Sequence, residues 1–135
     1  MKISTKGTYA LGIMTDIASH SQDEAIPLTV LANRNNMSVK YLEQIVNMLV
    51  KNNLLVSFRG TNGGYKLSRD AKDITIGQIL KATEGELQTV SCLNAGVKCD
   101  KVAKCLTVGV WTKLDNIVND FLNSTTLDDV INKRV

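Results

Sequence analysis

Three cysteines and a single histidine carry much of the reactive potential of this 135-residue chain. Cys92, Cys99 and Cys105 are separated by six and five residues, so there is no CxxC pair and a zinc ribbon does not fit. An odd number of cysteines in a chain expected to be cytoplasmic argues against a disulfide framework. Soft thiolates gathered in one stretch suit an iron-sulfur cluster. Spacing alone equally admits zinc, direct thiol oxidation or unreactive cysteines. Lys98, Lys101 and Lys104 alternate with the cysteines and can offset an anionic group. His20 stands near the end of a helical segment with no G-x-S-x-G context. A Ser/His/Asp triad is therefore unsupported, and a surface or dipole-compensating role is expected. The chain is not expected to be an enzyme.

The second chemical signal is charge. The net value is only +3, but between Asn33 and Lys72 seven basic residues (Arg34, Lys40, Lys51, Arg59, Lys66, Arg69, Lys72) stand against Glu43 and Asp70. Positive charge concentrated in one module is expected of a phosphate-facing surface, with a merely solvated face as the bland alternative.

Helices must carry most of these residues. At 44% hydrophobic residues the chain supports one domain with an appended element. With 4% aromatics and one proline, a many-stranded sandwich or barrel is disfavoured. No apolar run reaches membrane-span length, and MKISTKGTYALGIM lacks the apolar core of a signal peptide; the expected location is the cytoplasm.

From Thr5 to about Ser21, Tyr9, Ala10, Ile13, Met14, Ile17 and Ala18 form a helical stripe. A short helix, LTVLANR, follows Pro27. Asn35 and Asn36 interrupt it, and Ser38 caps a helix to about Asn52 with Met37 and Leu42 as a hydrophobic staple. Val39, Leu42, Val46 and Leu49 are expected to face inward, leaving Lys40, Tyr41, Glu43, Gln44, Asn47 and Lys51 on or near the outer face. LLVSF and YKLS read as strands around the turn RGTNGG. Helix-turn-helix followed by a basic-tipped hairpin is a winged helix, with Arg59 and Thr61 at the tip. TIGQILKAT is another helix. Residues 85–106 are expected to form a polar loop holding all three cysteines, a length usually tied to function or to disorder. Trp111, Leu114, Val118, Phe121 and Leu122 mark a long helix from Val108, and Thr125 with Asp128 caps a last one, LDDVINKR.

On the second helix of the pair, Ser38, Lys40, Tyr41, Glu43 and Gln44 occupy the first two turns, where such helices reach base edges. Gln pairs with adenine and Glu accepts from cytosine N4. A carboxylate on a phosphate-facing surface lowers affinity unless it reads or rejects a base; the alternative is a surface Glu43 paired with Lys40. Arg59 fits a narrow minor groove or a plain phosphate contact.

The segments STKGTYAL, PLTVLANRNNMSVKYLEQIVNMLVKNNLLVSFRGTNGGYKLSRDAKDITIGQILKATEG, the three spaced cysteines and FLNSTTLDDVI resemble the iron-sulfur cluster regulator (IscR) branch of the IscR/NsrR/CymR superfamily of bacterial transcription regulators. The resemblance covers essentially the whole chain, and YLEQ, the VxFRGxxGGYxL wing and the cysteine loop occur in order. It implies a mainly α, winged helix-turn-helix DNA-binding domain over 1–84, a cluster-binding loop over 85–106, and a dimerisation helix plus C-terminal helix over 107–135. It further implies a homodimeric regulator, in many relatives a repressor, acting on a pseudo-palindromic operator in double-stranded DNA. DNA contacts are expected from Ser38, Lys40, Tyr41, Glu43, Gln44, Lys51, Arg59 and Thr61. Cys92, Cys99 and Cys105 are the implied ligands of an iron-sulfur cluster, 2Fe-2S rather than 4Fe-4S.

Two departures bear on the cluster. Where IscR-like chains carry a histidine three residues after the last cysteine, Val108 stands here, and Thr8 stands where some nitric-oxide sensors supply an acidic residue. The fourth ligand is open, with Glu84, Glu86 and Asp100 the nearby carboxylates. A cluster-free regulator of cysteine or thiol metabolism is the first alternative, and an iron-sulfur carrier that does not bind DNA the second.

Overall fold

Where the chain can cap a helix decides most of the architecture. The computed structural model describes residues 2–20, 23–91 and 105–135. Their order is α1 (Thr5–Ser19), α2 (Leu28–Arg34), α3 (Val39–Lys51), β1 (Leu55–Phe58), β2 (Gly64–Leu67), a 3-10 turn (Ala71–Asp73), α4 (Ile76–Glu84), α5 (Val108–Ser124) and α6 (Leu127–Ile131). Ser38 caps α3 by accepting the Tyr41 N–H at 3.2 Å, a contact worth about 1 kcal/mol. Thr75 and Gln78 form a reciprocal capping box on α4. The last helix is capped one residue later than expected, by Thr126 with Asp129 rather than Thr125 with Asp128, because Thr125 is taken into an extended segment whose carbonyl accepts from the Ile76 N–H at 2.9 Å. The Thr126 backbone N–H and hydroxyl, with Arg134, hold the Asp129 carboxyl below its ordinary pKa.

The core is built from Ala10, Ile13, Met14 and Ile17 of α1, Leu42, Ile45, Val46 and Leu49 of α3, Ile76, Ile79 and Leu80 of α4, and Leu127 of α6. Each fully buried Leu or Ile contributes on the order of 1.5–3 kcal/mol. Two expected inward residues are not there. Val39 is 44% exposed and Tyr9 40%, while Ile45 is fully buried in α3. At about 100° per residue, Val39 lies about 70° off the centre of the stripe set by Leu42, Ile45, Val46 and Leu49. As the first residue of α3 it also has no preceding turn to fold over it.

The wing is an antiparallel pair in which Leu55 faces Leu67 and Phe58 faces Gly64. Ile26 adds a one-residue bridge to Tyr65, with N–H to O distances of 2.9 and 3.0 Å in the two directions. A Cβ at Gly64 would collide with the Ile26 carbonyl, so glycine there lets the segment before α2 pair with the wing. At the other end of the module, Glu84 accepts hydrogen bonds from the Ser4 N–H and hydroxyl. A side chain at Gly7 would strike that same carboxylate. This joins the end of α4 to the start of α1 just ahead of the cysteine loop. No described helix is long and apolar enough to cross a membrane.

Candidate nucleic-acid interface and cysteine loop

With one face of α3 committed to the core, Lys40, Glu43, Gln44, Asn47 and Lys51 are left exposed. At about 100° per residue they fall within a single face about 100° wide. Asn36 sits at φ 52° in the turn between α2 and α3, a backbone region that asparagine tolerates better than most residues. The turn thereby delivers Ser38 to the cap. Since the Ser38 oxygen accepts from Tyr41, its hydroxyl hydrogen remains able to donate outward. Tyr41 is half-buried and meets Tyr9 of α1 edge-on, with ring centroids 5.9 Å apart, so α1 braces the side of the reading face.

Arg59 and Thr61 are exposed at the wing tip, where the Gly63 N–H closes a turn on the Gly60 carbonyl at 3.0 Å and Gly60 holds φ 101°. Between wing and helix lies an open cleft of about 550 Å³ lined by Glu43, Arg59, Phe58 and the start of α2 at Pro27, Leu28 and Thr29. Glu43 of the helix and Arg59 of the wing therefore border one cleft. The α2 residues were not singled out from the sequence, and only the Ile26 bridge to the wing brings them there. Among the described residues no ion pair joins Glu43 to Lys40.

Several of the seven basic residues are engaged within the protein. Arg34 pairs with Asp16 at 3.1 Å. Lys66 donates to the Asp23 carbonyl at 2.9 Å and lies 5.3 Å from the centroid of the Phe58 ring. Arg69 donates to the carbonyls of Asn53 and Asp73 and to Gln78 Oε1, at 2.9–3.0 Å, stitching the end of α3 to the start of α4. Lys40, Lys51 and Arg59 are exposed and carry outward charge on α3 and the wing. His20 lies at the α1 C-terminus with Nδ1 2.7 Å from the Asp16 carbonyl oxygen and 3.1 Å from its carboxylate, the expected end-of-helix role.

The cysteines are only partly described. Cys92, Cys99, Lys98, Asp100, Lys101 and Lys104 lie outside the described residues. Cys105, three residues before the start of α5, is half-exposed, its Sγ 3.3 Å from the Thr107 hydroxyl. No side chain caps the α5 N-terminus at Thr107, and the space beside Gly109 is open. Uncapped N–H groups and the positive end of a 17-residue helix favour a thiolate or an anionic group beside Cys105. The one described thiol, Cys105, lies at a positive helix end, and a soft donor there fits an anionic iron-sulfur cluster. Val108 is the first residue of α5 and half-buried, adjacent in sequence to this end rather than a turn further in. Glu84 is occupied by Ser4, and Glu86 pairs with Lys81 at 2.6 Å, so neither is held ready as a ligand. The described start of the loop is tied to α5 by the Thr89 N–H, which donates to Asp115 Oδ1 at 2.9 Å.

Residues 3–133 match the Rrf2 family model, described as an iron-dependent transcriptional regulator. The chain is 37% identical over 134 residues to the HTH-type transcriptional regulator IscR of Pectobacterium atrosepticum, covering 99% of this chain and 81% of that one. It is 38% identical over 131 residues to IscR of Vibrio campbellii, covering 97% and 77%. Among solved structures, CymR, the global cysteine regulator of B. subtilis, superposes with a TM-score of 0.82 at 34% identity, covering 98% of both chains. IscR of T. potens does so at 0.77 and 33%, covering 100% of this chain and 89% of that one. The winged-helix fold and the near-complete family match agree, and the chain belongs to the Rrf2 family of transcriptional regulators.

Proposed function

We propose that this regulator is a cytoplasmic homodimer that binds a pseudo-palindromic DNA site through α3 and the wing, acting as a repressor under control of an iron-sulfur cluster. The observation that carries the DNA-binding part is the common orientation of Lys40, Glu43, Gln44 and Lys51 on one exposed α3 face beside Arg59. Ser38 and Tyr41 flank that face, and Thr61 extends it along the wing. In this reading Lys40 and Lys51 meet phosphates, Gln44 and Glu43 meet base edges, and Arg59 enters the minor groove. Cys92, Cys99 and Cys105 would hold the cluster, 2Fe-2S in this reading; when bound it supplies a redox- and supply-sensitive centre at the start of α5. The likeness to IscR chains supports this, as does the uncapped helix end beside Cys105.

A two-fold partner is supported by α5. Val110, Leu114, Ile117 and Phe121 are 60%, 42%, 56% and 52% exposed and recur at intervals of four, three and four residues. They form one apolar stripe that nothing among the described residues covers. A second copy of α5 would cover it and set two reading heads against a palindrome.

The second reading, a cluster-free thiol-responsive regulator, is favoured by the CymR superposition and by Val108 in place of histidine. Visible absorption and an iron and sulfide count on anaerobically purified protein separate the two. Stoichiometric iron and sulfide with charge-transfer bands support the cluster, and colourless, iron-free protein that still binds DNA supports the thiol reading.

Arg59→Ala is expected to weaken specific binding by about 1–3 kcal/mol while leaving the salt slope nearly unchanged. Lys51→Ala, as a phosphate contact, should weaken all sequences alike and reduce the slope by about one. It is a better comparison than Lys66→Ala, because Lys66 is tied to Asp23. Equal behaviour of Arg59 and Lys51 variants would reduce Arg59 to a phosphate contact. Glu43→Ala is expected to bind a wider range of sequences, since a carboxylate facing the groove rejects acceptor edges such as guanine O6 and thymine O4. Unchanged preferences in a randomised-site selection would return Glu43 to a solvated surface role.

A further inference from the structure

Val39 breaks the pattern of its neighbourhood. It is the first residue of α3 and 44% exposed. It is not one of the buried core residues, and it is flanked by Ser38, Lys40 and, one turn on, Glu43. Much of that apolar side chain is left facing water rather than the core. Valine is a poorer helix former than the polar residues that would be solvated at the same position. We propose that Val39 is a specificity residue whose γ-methyls contact the C5-methyl of a thymine in the major groove, a role that rests on α3 being the reading helix.

Chemistry and placement favour that occupant. Along the major-groove edge of B-DNA the thymine methyl is the one apolar feature a side chain can meet. It is recognised by the kind of small, rigid apolar group that a β-branched side chain with a restricted χ1 presents at little entropic cost. The first turn of such a helix is the part that reaches base edges. Val39 and Glu43 are four residues apart, side by side on one flank of α3 and about 6 Å apart along its axis. The 3.4 Å rise of B-DNA is about half of that, so the thymine should lie within about two base pairs of the pair that Glu43 faces. Lys40, on the other side of Glu43 around the helix, supplies charge without base preference. Val39 and Glu43 then form a paired reader, one selecting by apolar contact and the other by exclusion of acceptors.

The test uses a duplex selected by the wild-type full-length protein from randomised sites, in which each thymine is replaced in turn by uracil, which removes only the methyl group. At fixed salt, one thymine per half-site should show a roughly three- to tenfold weaker affinity as uracil. That penalty should vanish in Val39→Ala and persist in Val39→Ile, which keeps the branched apolar group. Thermal melting of the variants should match wild type, because the side chain is outside the core. Uracil penalties that persist undiminished in Val39→Ala would overturn the role of Val39, as would Val39→Ala binding the thymine site as tightly as wild type. Failure of the wild type to select any sequence would overturn the reading-helix assignment instead, so the two failures are distinct.

Discussion

Replacing any one of Cys92, Cys99 or Cys105 by alanine is expected to abolish stable cluster retention altogether. Relatives of the IscR kind are expected to add a histidine three residues beyond the last cysteine; here that position is Val108, the first residue of α5. Glu84 is held by Ser4 and Glu86 by Lys81, which removes two carboxylates that the sequence leaves available. If the three cysteines are the strong donors, and with no fourth held ready among the described residues, losing one thiolate leaves too few to hold two irons. The same shortage predicts lability in air for the wild type. Val108→His should slow the decay of visible absorbance after exposure to oxygen, at equal starting occupancy, because it adds a donor at the helix end next to Cys105. Full cluster retention by a cysteine variant would contradict the ligand set. Identical decay of wild type and Val108→His would mean that position 108 does not face the group or that the native fourth ligand is already strong.

Breaking the apolar stripe of α5 should have the second large effect. Ile117 is 56% exposed, so Ile117→Glu leaves the core of the isolated protomer intact while placing a charge at the centre of the inferred two-fold contact. Light scattering should then report a monomer, and affinity for a palindromic site should fall by about 10²–10⁴-fold, the size of the advantage lost when two linked heads become independent. Retention of a dimer with wild-type affinity would remove α5 from the interface. Loss of helical signal would instead show that the stripe supports the protomer itself.

Short-range rules made the helix pair and wing legible. Ser38 three residues ahead of Tyr41, Pro27 at the start of α2, and the run RGTNGG between two apolar segments each encode a cap or turn locally. The helix pair and wing therefore follow from sequence to within a residue or two. What escaped depends on contacts between distant segments. Lys66 and Arg69 count as phosphate-facing in a charge tally, yet Asp23, Asn53 and Gln78 claim them across as many as 43 residues of chain. The exposure of Val39 is set by which turn precedes it, and the shift of the final cap to Thr126 by the pairing of Thr125 with Ile76. The three cysteines were visible in the sequence. The positive, uncapped end of α5 beside Cys105 was not, because no side chain announces it.

The central claim is that the state of the cysteine loop changes how α3 and the wing engage DNA. It is tested most directly by titrating one selected duplex, at one salt concentration and under anaerobic conditions, with cluster-loaded protein and with the same preparation after iron removal by a chelator. The account predicts affinities that differ by about five- to 150-fold, the range of a typical coupling free energy, with the difference absent in Cys105→Ala. Equal affinities for loaded and stripped wild-type protein would contradict it.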